Sequence, residues 1–144
     1  LLSNFDVLLD LDFLTQHEEL EFLKKEDRKI KLILSYHNYK ETPKLDYLGN
    51  LITKMKRYVP EIVKISTSCQ REEDGLNLLN LFLKLKTQQI KCVVVGMGKK
   101  GLITRIFGSI WGNEINFAPE SLKEKSAEGQ LTKKQMKLIL KEIS

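Results

Sequence analysis

Residues 31–66 read KLILSYHNYKETPKLDYLGNLITKMKRYVPEIVKIS, in which two strand-length apolar runs flank a segment with helical periodicity. The two runs lie at residues 31–35 and 61–66, and both are rich in Ile, Leu and Val. Thr42 and Pro43 precede the helical segment and predict an N-cap followed by proline in the first turn. The apolar stripe of that helix consists of Leu45, Leu48, Ile52 and Met55. This pattern predicts two parallel strands joined by a crossover helix.

The same alternation extends to both sides of this segment. Further strands are predicted at residues 5–12, 91–96 and 114–118. Further helices are predicted at residues 18–25, 75–86 and 103–111. The polar residues 121–130 predict a loop, and a capping-box pair of Thr132 with Gln135 begins a last helix that uses Met136, Ile139 and Ile143. Five βα repeats predict an α/β fold with a parallel sheet, either an open doubly wound sheet or part of a (β/α)8 barrel.

Composition excludes several classes of protein. A chain of 144 residues with 42% hydrophobic and 30% charged residues predicts one folded domain rather than a disordered chain. The longest apolar run, residues 92–96, is far shorter than a membrane span. Two cysteines, Cys69 and Cys92, are too few for a disulfide framework and have no CxxC spacing, so we expect reduced thiols, a cytoplasmic location and no metal site.

The net charge of +5 comes from lysines that are spread along the whole chain. They alternate with glutamates and apolar residues on predicted helices, which favours solvated helix faces over a nucleic-acid patch. The charge favours small anionic substrates only weakly.

Polar side chains share one face near the C-terminal ends of the first three predicted strands, because side chains two residues apart in a strand point the same way. In strand order they are Asp10 and Asp12, Ser35 and His37, and Lys64 and Ser66. This layout is typical of an active site at the carboxyl ends of parallel strands.

Lys64 is the strongest signal, because it lies between Val63 and Ile65 in an apolar strand. Burial disfavours the charged ammonium and makes the amine nucleophilic, which suggests an imine with a ketone or aldehyde. The alternative is an edge-strand lysine whose ammonium reaches solvent. Both interpretations fit the pattern equally well.

The other candidate residues also allow a plain structural interpretation. His37 is either a general acid–base or a loop histidine without a role. Asp10 and Asp12 either orient His37 or Lys64, or cap the end of a strand. Residues 96–101 form a glycine-containing turn that is more typical of a tight βα loop than of an anion cradle. Arg105 is either a carboxylate ligand or a surface arginine.

Four blocks of the sequence resemble, in order and spacing, those of the type I 3-dehydroquinate dehydratases. Residues 34–43 (LSYHNYKETP) resemble the family's Ser-x-His segment, and residues 62–65 (IVKI) resemble its Schiff-base strand. Residues 96–105 (GMGKKGLITR) resemble its Met-Gly…Ser-Arg block, and residues 126–130 (SAEGQ) resemble its Ser-Ala-Pro-Gly-Gln lid. The resemblance covers nearly the whole chain, including Asp10-Leu11-Asp12 for the family's Asp-x-Glu.

This resemblance implies a (β/α)8 barrel that dehydrates 3-dehydroquinate to 3-dehydroshikimate in the shikimate pathway. Lys64 would form the imine and His37 would move the protons. The residues implied to bind the substrate are Arg105, Ser126, Gln130, Met97, Asp10 and Asp12. The resemblance implies no cofactor and no metal, a small-molecule substrate, a homodimer, and neither a nucleic-acid nor a membrane partner.

This sequence departs from the family pattern in the lid, at the end of its first strand and in the βα units that begin the barrel. Glu128 replaces the lid proline, Asp12 replaces a glutamate, and residues 111–113 (WGN) replace a typical Phe-Gly-Ser. The first three βα units, which in the family carry a glutamate that orients the histidine, are absent, and the first residue is Leu1 rather than Met.

Length agrees with a partial barrel. A whole (β/α)8 barrel needs about 200–250 residues, so we expect residues 1–144 to supply strands 4 to 8 with their helices. The alternatives are an inactive partial barrel that acts as an interaction module, or another imine-forming enzyme such as an aldolase.

Overall fold

The computed structural model describes residues 7–25, 30–124 and 129–143. Its strands are β1 (Leu8–Asp12), β2 (Lys31–Asn38), β3 (Ile62–Ser68) and β4 (Cys92–Met97). Its α-helices are α1 (His17–Lys25), α2 (Leu45–Met55), α3 (Glu72–Thr87), α4 (Leu102–Trp111) and α5 (Lys133–Ile143). Short 3-10 helices occupy Lys56–Tyr58, Lys99–Gly101 and Leu122–Glu124. No helix in these ranges is both long and apolar enough to cross a membrane.

The sheet is parallel and its strands follow chain order, β1-β2-β3-β4. A doubly wound sheet reverses its strand order and carries helices on both faces. Here the residues of α1, α2 and α3 that enter the main core all contact the same face of the sheet. Consecutive parallel strands with helices on one side are the arrangement found in the wall of a (β/α)8 barrel. The predicted α/β fold is confirmed, and the open doubly wound alternative is wrong.

The main core lies between the sheet and its helices. Leu34 and Ile65 from the strands and Leu48, Met55 and Phe82 from the helices are almost completely buried there. The opposite face of the sheet holds a much smaller apolar cluster, near the N-terminal ends of the strands. This cluster consists of Ile33, Ile62, Val93 and Val95, with Ile115 packed against it. The C-terminal half of that face is left for polar side chains.

The predicted fifth strand at residues 114–118 is not formed. Side chains occupy the outer edge of β4, where such a strand would pair. Val94 N–H donates to Asn113 Oδ1 at 3.1 Å, and Gly96 N–H donates to Thr104 Oγ1 at 2.7 Å. Among the residues that the structure describes, only the N–H of Glu114 makes a backbone hydrogen bond to that edge, at the carbonyl of Cys92. A regular ladder cannot form where side chains already satisfy the backbone donors.

The predicted N-cap of α2 at Thr42 is also wrong. The helix begins after Lys44, which makes no side-chain capping bond. Thr42 Oγ1 instead lies 2.9 Å from both Thr67 Oγ1 and the carbonyl oxygen of Ser68, so its hydroxyl ties the β2–α2 loop to the end of β3. The tertiary contact therefore outcompetes the local capping bond.

The capping box at the start of α5 is confirmed. Thr132 N–H donates to Gln135 Oε1 at 2.9 Å, and Gln135 N–H donates back to Thr132 Oγ1 at 3.2 Å. Of the predicted apolar stripe, only Met136 is buried, whereas Ile143 is exposed. The predicted loop at residues 121–130 contains a 3-10 turn, and residues 125–128 lie outside the described part of the chain.

Candidate active site

A groove of about 200 Å³ opens at the C-terminal ends of the strands, on the face away from the helices. We call it the site groove. Its lining residues are His37, Tyr39, Lys64, Ser66, Val95, Met97, Arg105, Phe117 and Gln130. The groove brings together five of the predicted site residues. A larger groove of about 400 Å³ lies between α2 and α3 and contains none of them.

Lys64 projects from β3 into the site groove and reaches across β2 toward β1. The strand register aligns it with Ser35 and not with Asp10. Because Ser35 is small, the lysine passes over β2 and its Nζ donates to Asp10 Oδ2 at 2.7 Å. The Lys64 side chain is 14% exposed. Of the two interpretations of Lys64, the edge-strand alternative is wrong, since β4 pairs with the outer side of β3.

Phe117 covers the ammonium of Lys64, with 4.8 Å between Nζ and the ring centroid. This ring belongs to the segment at residues 114–118, which forms no strand, and it lines the site groove. Sequence reasoning missed Phe117. The only available signal was a large aromatic side chain at the end of the predicted fifth strand, directly before Ala118 and Pro119.

His37 lies within β2, because that strand extends three residues beyond its predicted end to Asn38. Its Nδ1 is 2.9 Å from Asp12 Oδ2. The ring of Tyr39 stacks on the imidazole, with an interplanar angle of 9° and 6.0 Å between centroids. Sequence reasoning also missed Tyr39, whose position two residues after His37 places it on the same side of the chain.

Asp12 is fixed by the turn that follows β1. Burial alone would raise the pKa of this carboxyl, but hydrogen bonds from His37, Thr15 and Leu14 outweigh burial and lower the pKa below its usual value. Asp12 is therefore ionised at neutral pH. The two carboxylates of β1 are thus each engaged by one partner, Asp10 by Lys64 and Asp12 by His37.

Arg105 is a buried cation near the site groove, only 8% exposed. Burial lowers the pKa of its guanidinium, and its Nε has no hydrogen-bond partner among the described residues. A surface position, the plain interpretation of the sequence, is wrong. A buried guanidinium is costly unless an anion neutralises it, so this position is suited to bind a carboxylate.

The remaining predicted residues are divided between the site groove and the undescribed loop. Met97 and Gln130 line the groove and are both buried. Ser126 falls on residues outside the described part of the chain. Gly129 has a φ of +79°, and a Cβ there would lie 2.3 Å from the carbonyl oxygen of Gly98. This close approach places Gly129 directly against the β4–α4 turn.

The glycines of the β4–α4 turn are explained by packing. A Cβ on Gly101 would lie 2.3 Å from the backbone of Gly96, and a Cβ on Gly96 would lie 2.6 Å from Cys69 Sγ. The turn is therefore tight against β4 and the end of β3. This agrees with a compact βα loop rather than an open anion cradle.

The cysteines take no part in the site groove. Cys69 and Cys92 are both free and buried. Burial raises the pKa of the Cys69 thiol and raises that of Cys92 to about 11. Among residues 7–25, 30–124 and 129–143, no cluster of histidine, cysteine and carboxylate side chains could hold a metal ion.

Comparison with known proteins gives a consistent result. A family model described as type I 3-dehydroquinase matches residues 3–144. A 3-dehydroquinate dehydratase of Methanococcus maripaludis (strain C6) is 34% identical over 145 residues, which cover 99% of this chain and 64% of that protein. One of Alkaliphilus oremlandii is 33% identical, over 98% of this chain and 56% of that protein.

Solved structures show the same fold. The crystal structure of 3-dehydroquinate dehydratase from Geobacillus kaustophilus aligns with a TM-score of 0.82 at 24% identity, over 98% of this chain and 55% of that one. A type I 3-dehydroquinate dehydratase from Clostridium difficile, solved with covalently modified comenic acid, aligns with a TM-score of 0.81 at 24% identity, over 99% and 57%. This chain therefore spans little more than half the length of these structures.

Proposed function

Because this chain belongs to the type I 3-dehydroquinase family, we propose that it carries the imine-forming part of an enzyme that dehydrates 3-dehydroquinate to 3-dehydroshikimate in the shikimate pathway. The observation that carries the proposal is the position of Lys64, whose Nζ contacts Asp10 under Phe117 in the same groove as His37. The chain would supply strands 4 to 7 of the barrel as β1 to β4, together with residues 114–118, which stand where strand 8 is predicted but form no strand in this chain by itself. This extent agrees with its coverage of 56–64% of two relatives.

Lys64 acts as the nucleophile. Once its ammonium has passed a proton to an acceptor, the amine attacks the ring ketone, and loss of water leaves a C=N bond. Asp10 Oδ2, 2.7 Å from Nζ, is the acceptor nearest to that proton. The protonated imine withdraws electrons and makes the neighbouring C–H acidic.

His37 moves the protons of the next steps. Its ring takes the proton from the acidified carbon, and the electron pair left behind forms a C=C bond to the imine carbon while the C=N electrons move to nitrogen, which gives an enamine. The enamine then expels the neighbouring hydroxyl group as the imidazolium returns its proton to that oxygen, so that water departs and a conjugated imine remains. Hydrolysis of the imine frees the ketone product and restores Lys64.

Arg105 would bind the substrate carboxylate, because it is a buried guanidinium whose Nε lacks a partner among the described residues. Met97 would form the groove wall, and Gln130 and Ser126 would close over the substrate. No step requires a metal or an organic cofactor. The proposal includes a small-molecule substrate, a cytoplasmic location and a homodimer, and it requires neither a nucleic-acid nor a membrane partner.

The test is reduction with borohydride in the presence of 3-dehydroquinate, followed by peptide mass mapping. We expect a substrate-derived adduct on Lys64 and none in Lys64→Ala. Lys91→Ala is the matched control, because Lys91 also pairs with a carboxylate but is exposed at the other end of the sheet, beside Glu61. It should form the adduct at the unchanged rate. In His37→Ala we expect both imine formation and proton removal to slow.

The absence of an adduct from folded wild-type chain would contradict the proposal and favour an inactive barrel that acts as an interaction module. An adduct with an aldol substrate but none with 3-dehydroquinate would instead favour an aldolase.

A further inference from the structure

Residues 113–117, which we call the cover segment, lead from the end of α4 to the ring that lies over Lys64. The cover segment forms neither helix nor strand, so no regular ladder of backbone hydrogen bonds fixes its path. Its last residue, Phe117, still holds its ring 4.8 Å from Lys64 Nζ while it is 41% exposed. Because burial holds such a ring only weakly, its position depends on how the residues before it are anchored.

The first anchor is Asn113, which is only 8% exposed. Its N–H donates to the Gly108 carbonyl of α4 at 2.7 Å, and its Oδ1 accepts from the Val94 N–H of β4 at 3.1 Å. The side chain also packs against Gly108, where a Cβ would lie 2.4 Å from Asn113 Nδ2. The cover segment therefore begins at a fixed point between β4 and α4.

The second anchor is Asn116, directly before the ring. Its Oδ1 accepts a hydrogen bond from Ser109 Oγ at 2.9 Å, and the same Oγ lies 2.7 Å from the carbonyl oxygen of Arg105. Between the two asparagines, Ile115 packs against the small apolar cluster on the groove face of the sheet. The cover segment cannot move along α4 without loss of these contacts.

Asn113 also keeps the cover segment away from the edge of β4. Residues 114–117 (EINF) alternate polar and apolar side chains, which is the pattern of a strand. An unpaired N–H at a sheet edge is a template for such a strand, but Asn113 Oδ1 already satisfies the Val94 N–H. Removal of the amide would free this donor, and pairing along β4 would then give the segment a new path and shift the ring.

We propose that Asn113 and Asn116 are positioning residues for Phe117, which they hold over the amine of Lys64. Two side chains that do not line the site groove would thus set how accessible that amine is. The consequence for imine formation rests on the proposed function. The accessibility of the amine does not, and this separates the two in an experiment.

Reductive methylation of the chain with formaldehyde and cyanoborohydride measures the accessibility without 3-dehydroquinate. Peptide mass mapping gives the methylation rate of Lys64 relative to that of Lys91, an internal standard that is exposed at the other end of the sheet. Phe117→Ala should raise this ratio by about two- to fivefold, the factor that corresponds to loss of an exposed contact between a cation and a ring. Asn113→Ala should raise it by up to the same factor, and Asn116→Ala by less, because its bond is exposed to water.

Two control variants separate positioning from general loosening of the fold. Asn50→Ala makes the same change at an exposed position of α2 and should leave the ratio unchanged. Asn116→Asp keeps an oxygen acceptor for the hydroxyl of Ser109 and should keep the wild-type ratio. Asn116→Ala removes only an exposed side chain, so it decides the test by itself if Asn113→Ala does not fold.

A double-mutant cycle tests whether the asparagines act through the ring. In a Phe117→Ala background, neither Asn113→Ala nor Asn116→Ala should raise the ratio further. Unchanged ratios in the folded single asparagine variants would overturn the proposal, and so would an undiminished further rise in the Phe117→Ala background.

Trapping with borohydride and 3-dehydroquinate supplies the second measurement. The rate of Lys64 adduct formation should change in the same direction in the asparagine variants as in Phe117→Ala. If the wild type forms no adduct, the proposed function fails, and the methylation ratios still decide the role of the two asparagines. If the adduct forms but the ratios do not respond, the positioning proposal alone is overturned.

Discussion

The two faces of the sheet use the same strands for opposite purposes. In β3, Val63 and Ile65 point toward the helices and are almost completely buried, whereas Lys64 between them points into the site groove. The helix face is a continuous apolar core. The other face is apolar only near the N-terminal strand ends, and it carries a lysine, a histidine and two carboxylates near the C-terminal ends. Alternation of side chains thus separates stability from chemistry within one strand.

The largest expected difference between the two faces comes from replacing one phenylalanine on each face with alanine. Phe82 is 1% exposed in the helix-side core, and Phe117 is 41% exposed over Lys64. Phe82→Ala should lower the free energy of unfolding by about 3–5 kcal/mol through lost burial and a residual cavity. Phe117→Ala should lower it by about 1 kcal/mol or less, the value of a partly solvated contact with a cation.

Urea denaturation of both variants measures the difference, and the rate of Lys64 trapping measures the effect on the site. We expect only Phe117→Ala to change the trapping rate of folded protein. Similar losses of stability in the two variants would show that the two faces are not separated in this way.

Replacement of Arg105 tests whether a side chain that lines the site groove lowers the stability of the fold. Its guanidinium is buried, and no ion pair among the described residues includes it. Arg105→Met should therefore raise the free energy of unfolding by about 1–2 kcal/mol and weaken binding of the substrate by about 10-fold or more. Arg57→Met, on the exposed surface after α2, is the matched control and should change neither quantity. A destabilised Arg105→Met chain would contradict this assignment.

The smallest expected effect is a change in stability at acidic pH. The pKa of Asp12 is lower in the folded chain than its usual value of 3.8, so its contribution to stability is complete above that value and is lost as pH falls through the lowered pKa. The stability difference between wild type and Asp12→Asn should therefore shrink as the pH falls below about 4. Denaturation curves between pH 5 and about pH 3 measure it. A difference that widens with acid would contradict the bond network around Asp12.

Much of the fold was predictable because its signals are local. The periodicity of residues 31–66 predicts β2, α2 and β3 within a few residues of their bounds, and the Thr132–Gln135 capping box predicts the start of α5. The predicted fifth strand failed because strand formation depends on a free partner edge, and Asn113 and Thr104 occupy that edge of β4. The predicted N-cap at Thr42 failed for a related reason, since the Thr42 hydroxyl donates instead to the carbonyl oxygen of Ser68 at the end of β3.

The candidate site was likewise predictable only in part. Lys64, His37, Asp10 and Asp12 were found as a group, because alternation and strand order bring them to one end of one face. Which carboxylate meets which partner was not predictable, because both lie on β1 and the pairing depends on a diagonal reach across β2. Phe117 was missed, because an aromatic residue in an irregular segment carries no periodic signal. Tyr39 was missed, because it lies one residue beyond the end of β2, although it follows His37 at the two-residue spacing of a strand.

The sequence by itself determined the strand and helix rhythm, the face on which the polar groups lie and the family resemblance, since these depend on local spacing and residue order. Only the tertiary structure decided the pairing of Lys64 with Asp10 and of His37 with Asp12, the burial of Arg105 and the cover that Phe117 forms. These features depend on strand register and on segments far apart in the chain, which become neighbours only when the sheet has formed.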